Sequence, residues 1–406
     1  MISLGCVRNT VDSEAILSGA LRHGHRYAEV EDADIVIVNT CGFIEAAKKE
    51  SIEVINSLVA LKKQGKLQKI VVAGCLAQRY ADELRQGFPE VDAFVGVLSL
   101  KKEDRQAALS LTPSYFSYLK ICESCFNHCS FCAIPHIKGK FVSRSMASIL
   151  EDVRRMDRRG VKEINIVGQD ITAYGMDLYR EKRLAKLLSE VAREVRNIEW
   201  IRLLYTYPAH ITDELLDVIA ATPAICKYID MPLQHINDKV LKLMGRKMTR
   251  LEIETLIKKI RRKIPGVSLR TTYIVGFPGE TDQDFNELLV FMKEFPFERA
   301  GAFTYSREEG TTAFALGDRV AEKTKQARLA RLMAVQEEIA GGLQDKFVGR
   351  TLKVLVDGER TGRSEYDAPD VDGCVHFSSN ARIKPGEFVQ VKISAAHGYD
   401  LEGSVV

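Results

Sequence analysis

Apolar runs of strand length alternate with amphipathic stretches along most of the chain. Ile2–Leu4, Asp34–Asn39, Lys69–Ala73 and Ala93–Val95 read as strands. Val11–Leu21, with Asp12 or Ser13 at its start, Ile44–Leu61 and Gln78–Arg85 read as helices between them. That alternation predicts a parallel sheet with helices on its faces. A linker is expected near residues 100–114. A second alternating series then supplies strands at Tyr118–Ile121, Glu163–Val167, Trp200–Tyr205, Tyr228–Met231, Val267–Val275 and Ala300–Tyr305. Helices such as Met146–Arg159 and Leu251–Ile260 lie between them. Six strands in one such series predict a barrel or partial barrel of TIM type. Ala321–Phe347 is rich in good helix formers and reads as one long helix. After it, short alternating strands such as Leu352–Val356 and Phe388–Ile393 are separated by Pro-Asp, Asp-Gly and Pro-Gly turns. They predict a small antiparallel β-barrel. The whole is α/β, with domains expected at 1–110, 111–345 and 346–406.

The 406 residues are 46% hydrophobic and 28% charged, with a net charge of +3. Such a chain folds into cores, and its charge neither demands nor excludes nucleic acid. No apolar run approaches the roughly 20 residues of a membrane span. No basic-then-apolar leader precedes Cys6, so a cytoplasmic protein is expected. Nine cysteines in a reducing compartment favour metal binding or catalysis over disulfides.

Three of them, Cys125, Cys129 and Cys132, sit within eight residues on a loop after a predicted strand. Structural zinc usually takes four ligands in two separated pairs, and no second pair follows at that distance. Three thiolates suit a four-iron cluster with one iron left open. Three more, Cys6, Cys41 and Cys75, each end a predicted strand beside a glycine. A single cysteine there is a small hydrophobe. Equivalent ends of parallel strands lie side by side, so three in the same slot converge on one rim and favour a second cluster.

The Cys-x3-Cys-x2-Cys spacing, with Phe131 before the third cysteine, resembles the signature of the radical S-adenosylmethionine (SAM) superfamily. That resemblance implies a SAM-binding [4Fe-4S] cluster on Cys125, Cys129 and Cys132. It implies SAM contacts from Phe131, Ser143-Arg144, Gly168-Gln169-Asp170 and Gly276, and Gln234 is expected to face the same cavity. Gly5-Cys6-Val7-Arg8-Asn9-Thr10-Val11-Asp12-Ser13-Glu14, Asn39-Thr40-Cys41-Gly42-Phe43 and Gly74-Cys75-Leu76-Ala77-Gln78 resemble the methylthiotransferase family. In that family these three cysteines hold an auxiliary [4Fe-4S] cluster that takes part in sulfur delivery, and the last domain is a substrate-binding TRAM domain. The resemblance covers essentially the whole chain. It implies two SAM molecules, a sulfur donor, and a reductant such as flavodoxin or ferredoxin. Cys122, Ser124 and Phe126 depart from the family, which usually has Ser, Gly and Asn there. Cys122 is therefore an alternative ligand to Cys125, while Cys226 and Cys374 read as bystanders.

The family's branches act on transfer-RNA adenosine or on an aspartate of a small-subunit ribosomal protein. From Arg350 to the end, seven basic residues face nine acidic ones, a net of −2. Between Ser364 and Ala381 the acids Glu365, Asp367, Asp370 and Asp372 stand without a Lys or Arg. Phosphate binding needs cations, whereas an acidic face suits a basic ribosomal protein. Gly362–Gly373, Tyr207–Thr212 and the Tyr399-Asp400-Leu401 ending resemble the ribosomal-protein, RimO-type branch. Methylthiolation of an aspartate β-carbon in protein twelve of the small subunit is then the expected reaction. The rival readings are a transfer-RNA methylthiotransferase and a non-catalytic iron–sulfur or zinc RNA-binding protein.

Overall fold

The computed structural model describes residues 1–98 and 110–406. Most of the expected 100–114 linker lies outside the described residues. The first sheet is parallel, in the order β1 (Ile2–Ser3), β2 (Ile35–Thr40), β3 (Lys69–Gly74), β4 (Ala93–Val95). Val36, Val38, Ile70 and Val72 alternate inward and are fully buried against Ile55 and Leu58 of the helix Glu45–Lys63.

Two expected helices differ. The first runs Val7–Arg22, with Cys6 at its N-cap, rather than starting near Asp12. Asp12 and Ser13 lie on its buried face, where they pair with other elements instead of capping. The expected helix Gln78–Arg85 is two short helices, Cys75–Arg79 and Ala81–Gly87, broken at Tyr80.

The central series opens with β5 (Phe116–Lys120) and a hairpin of β6 (Cys122–Glu123) and β7 (Val142–Ser143). It continues with β8 (Glu163–Val167), β9 (Trp200–Leu203), β10 (Ile225–Asp230), β11 (Ser268–Val275) and β12 (Arg299–Thr304). These form one parallel sheet in the order β12-β11-β10-β9-β8-β5, curved but open between β5 and β12. Threonine caps start two of its outer helices: Thr249 and Thr281 each form a capping box with the residue three positions on. Leu187, Leu216, Ile257 and Leu288 of the helices meet Ile164, Ile201 and Leu269 of the strands in the largest core.

The helix Glu322–Gln344 leads to a closed barrel of β13 (Thr351–Val356), β14 (Thr361–Ser364), β15 (Val375–Ser378), β16 (Phe388–His397) and β17 (Asp400–Val405). The expectation of an all-antiparallel barrel is corrected at one pair: β15 and β17 run parallel.

This small barrel docks on the amino ends of the central strands. Glu163, at the start of β8, accepts from Arg202 at 2.8 Å and from Arg363 of β14 at 2.6 Å, all buried. Those two guanidiniums hold the carboxyl below the usual carboxylate range although burial opposes it. The acidic stretch before β15 turns inward as well. Asp367 pairs with Arg299, Asp370 accepts from the Tyr118 hydroxyl at 2.8 Å, and Asp372 from Tyr228 at 2.7 Å and Arg270 at 3.3 Å. The free acidic face expected at these residues is therefore reduced: the Asp367 and Asp372 side chains are buried in ion pairs with the central strands, while Asp370 stays exposed.

Candidate active site

The carboxyl ends of the strands carry the site. The hairpin of β6 and β7 closes a loop that begins at Ser124, whose φ of 66° is left-handed. That geometry explains why glycine suits the position. Here Ser124 donates its hydroxyl to the Gly139 carbonyl at 2.5 Å, a local bond that offsets the cost. Phe126 is exposed and stacks on Phe141.

Cys125, Cys129 and Cys132 follow, half-buried and free. The backbone N–H and side-chain amide of Asn127 both donate to Cys125 Sγ at 3.3 Å. Asn127 also donates to Asp170 at 2.8 Å. Arg246 approaches Cys129 Sγ at 3.6 Å, stacks over Tyr207 and donates to the Pro232 carbonyl. Gly245 lets that turn press on the loop, since a Cβ there would lie 2.8 Å from the His128 carbonyl. Burial pushes the Cys125 thiol up to about 11 and that of Cys132 to about 12. The thiols keep their protons until a metal takes their place.

The second triad lies beside the first. Cys75 packs against Ala133 and Ile137, which directly follow Cys132. Gly74, at φ 95°, lets Cys75 start its helix: a Cβ there would lie 2.1 Å from Asn39 Oδ1. Cys41 is fixed by the Ser51 hydroxyl, which bonds both its N–H and its carbonyl at 3.1 Å. Cys6 caps its helix, and although burial raises a thiol's pKa, Arg8 and the backbone N–H groups of Asn9 and Arg8 bring it below the ordinary value. Burial, reinforced by the neighbouring Cys6 and Cys41 and opposed by Lys138, pushes Cys75 up to about 12. The convergence expected from equivalent strand ends is thus present.

Neither triad is drawn in to single-ion spacing. Among the described residues, the group of His, Cys, Asp and Glu ligand atoms within 4.8 Å of one another is Cys374, His376 and Asp400.

A buried charge network joins the two triads. Lys120 lies between Asp12, at 2.9 Å, and Glu123, while Lys138 sits 3.4 Å from both carboxylates. Gln169 donates to Glu123 at 2.8 Å. Arg8 donates to the Gly168 carbonyl at 3.0 Å and stacks over Tyr205. Across the opening, Glu308 beyond β12 accepts from Arg79 at 2.8 Å and Lys48 at 3.2 Å. The first domain thus spans the gap between the two edge strands.

The other sequence candidates divide. Gly168, Gln169, Asp170 and Gln234 line the mouth. Asp170 is buried and accepts from Asn127, Thr172 and His210. Gln234 sits at φ 74° and bridges to Tyr273. Gly276, at φ 73°, donates to Glu280 and abuts Lys325. Phe131 packs with Phe277, Tyr305 and Met244. Ser143 is spent on the Gly175 N–H. Arg144 turns to Asp152 and the Lys120 carbonyl, and is not brought to the cysteines. His235 is fully buried, and burial drops it to about 3. Its neutral ring accepts from the Asn237 N–H, a structural role.

Cys122 is fully buried in the main core, with Sγ 3.6 Å from the Asp170 carbonyl, and burial raises its thiol well above the ordinary value. It packs rather than ligates. A serine at this position keeps the bond to Asp170, so Cys122→Ser is expected to leave iron content and SAM cleavage unchanged. Iron assay and chromatography of 5′-deoxyadenosine check this.

Sequence reading missed Asn127 and Arg246, and it picked out Tyr207 and His210 only within the Tyr207–Thr212 resemblance, with no role at the site. Only the nearness of Asn127 to Cys125 offered a signal.

Several buried polar atoms at the mouth lack partners: both side-chain atoms of Asn165, Oε1 of Gln169 and of Gln234, and the hydroxyls of Tyr207 and Tyr273. Buried polar atoms need partners, so these unpaired groups suit a polar ligand better than an apolar one.

A parallel partial barrel with a three-cysteine loop beyond its first strand defines a radical SAM enzyme. Residues 119–292 match the radical SAM superfamily, 1–96 the uncharacterized protein family UPF0004, and 348–406 the TRAM domain. The chain is 43% identical to the ribosomal protein uS12 methylthiotransferase RimO of Desulfitobacterium hafniense (strain Y51), over all of this chain and 98% of that protein. It is 44% identical to RimO of Desulforamulus reducens, over 100% and 98%. Among solved structures, the radical SAM methyltransferase TsrM from Kitasatospora setae superposes with a TM-score of 0.53 at 14% identity, covering 86% of this chain and 71% of that one. This likeness shows the fold alone. The chain belongs to the RimO family of methylthiotransferases.

Proposed function

We propose that this enzyme methylthiolates the β-carbon of an aspartate in the small-subunit ribosomal protein uS12. What carries the reading is the joining of two three-cysteine sites at one rim, Cys75 packed on the helix that follows Cys132. Relatives over the full chain are named for this reaction.

In this reading residues 1–110 hold an auxiliary [4Fe-4S] cluster through Cys6, Cys41 and Cys75. Residues 111–345 hold the SAM-binding cluster through Cys125, Cys129 and Cys132, and residues 346–406 form the TRAM domain. When bound there, the cluster and SAM supply a 5′-deoxyadenosyl radical, which suits a β-carbon hydrogen too weakly acidic for base chemistry at neutral pH. The protein's own residues position and shield. Asn127 donates to the Cys125 sulfur, which favours its thiolate, and Arg246 reaches the Cys129 sulfur. Asn165, Gln169, Gln234 and Tyr273 offer unpaired polar atoms to the SAM side of the cavity. The Asp372 side chain, buried against Tyr228 and Arg270, helps close its floor against water. A reductant such as flavodoxin or ferredoxin, a sulfur donor and a cytoplasmic setting complete the proposal. No helix among the described residues is long and apolar enough to cross a membrane.

Cys75→Ala separates the two sites. It is expected to spare reductive SAM cleavage and abolish methylthio product. Loss of both activities together, with the first site's iron intact, would refute the division of labour.

A further inference from the structure

On the C-terminal barrel, away from both triads, three ligand-type side chains of different chemistry converge. Cys374 precedes β15, His376 lies on it, and Asp400 opens the neighbouring parallel strand β17. Their ligand atoms all lie within 4.8 Å of one another. Cys374 Sγ is 3.2 Å from His376 Nε2, and Asp400 Oδ2 is 3.8 Å from the same nitrogen. A nucleophile–base–acid relay would place cysteine and carboxylate on opposite ring nitrogens. Here both lie near one nitrogen, so the three ligand atoms are close enough to share one ion.

The site is also held in place. Asp400 Oδ1 accepts from the Cys374 N–H at 2.8 Å, which turns Oδ2 toward the imidazole. The Leu401 N–H donates to the Cys374 carbonyl at 2.9 Å. Gly373 permits this approach, since a Cβ there would lie 2.1 Å from the Tyr399 carbonyl. His376 and Asp400 are about half exposed, so an ion has access from solvent.

We propose that Cys374, His376 and Asp400 form a zinc site on the C-terminal barrel, with a fourth, open coordination position. One thiolate, one imidazole and one carboxylate match zinc's mixed preference, whereas calcium and magnesium take oxygen ligands. Burial and Asp400 push the Cys374 thiol up to about 11, so zinc binding releases its proton. The ion would cross-link β15 to β17. It would also fix the segment just before Cys374, whose Asp370 and Asp372 bond to Tyr118 and Tyr228 of the central strands. The proposal is independent of the methylthiotransferase reading.

The test uses full-length protein with both cysteine triads first filled with iron, then given Zn²⁺ alone and desalted. About one zinc per chain is expected to remain, with one sulfur and lighter neighbours in zinc-edge X-ray absorption. Cys374→Ser and His376→Ala should each lose it, weakening retention by more than the roughly 10–100-fold cost of losing a residue behind a ligand. Iron content should not change in either variant. Three results would each overturn the site: no zinc retained by the parent, retention in both variants unchanged from the parent, or a zinc environment with several sulfurs.

Discussion

Cys125→Ala is expected to reduce SAM cleavage to background while iron at Cys6, Cys41 and Cys75 is retained. Cys125 is the thiol that receives both Asn127 donors, so it is the most specifically positioned of its triad. Cys122 does not stand in for it. Its sulfur is packed in the apolar core, fully buried, and reaching the loop would require the hairpin of β6 and β7 to open. The measurement is the yield of 5′-deoxyadenosine under reducing, anaerobic conditions, taken alongside iron content. Cleavage that survived the substitution would place the SAM-binding cluster elsewhere.

Asp12→Ala is expected to be the most damaging change away from the cysteines. Asp12 neutralises Lys120 and Lys138, whose side chains are 1% and 3% exposed. Glu123 alone would then face two buried cations. Breaking such a buried pair from one side costs roughly 3–5 kcal/mol, because the remaining charge stays desolvated. Asp12→Asn keeps the shape and isolates the charge. Both should unfold at clearly lower denaturant than the parent, and the joint between the two triads should loosen. Unchanged midpoints in the two variants would show that water or rearrangement relieves the lysines.

Much of the chemistry was legible along the chain. The cysteine spacings, the strand-end slots of Cys6, Cys41 and Cys75, and the six strands of the central sheet all depend on local pattern, and local pattern survives folding. The positions that misled depend on partners far away in sequence. Asp12 and Ser13 look like a helix cap because Lys120 and Asn39, which claim them, are remote. The acids from Glu365 to Asp372 look like a free face because Arg270 and Arg299, which pair with Asp372 and Asp367, lie 102 and 68 residues earlier. The choice of a protein substrate therefore draws its support from full-length relatives rather than from exposed charge. Arg246 was invisible for the same reason: nothing near it in sequence marks a turn that presses on Cys129. Ser124 shows the converse. It departs from the family's usual glycine, yet one hydroxyl bond lets serine hold the left-handed turn.

The most direct test of the proposed reaction offers the anaerobically reconstituted enzyme both substrates at once, with SAM, reductant and sulfide. Purified uS12 and transfer RNA are then analysed by mass spectrometry. The account predicts a methylthio group in place of one hydrogen on an aspartate of uS12, and none on adenosine. Modified transfer RNA with unmodified uS12 would contradict it.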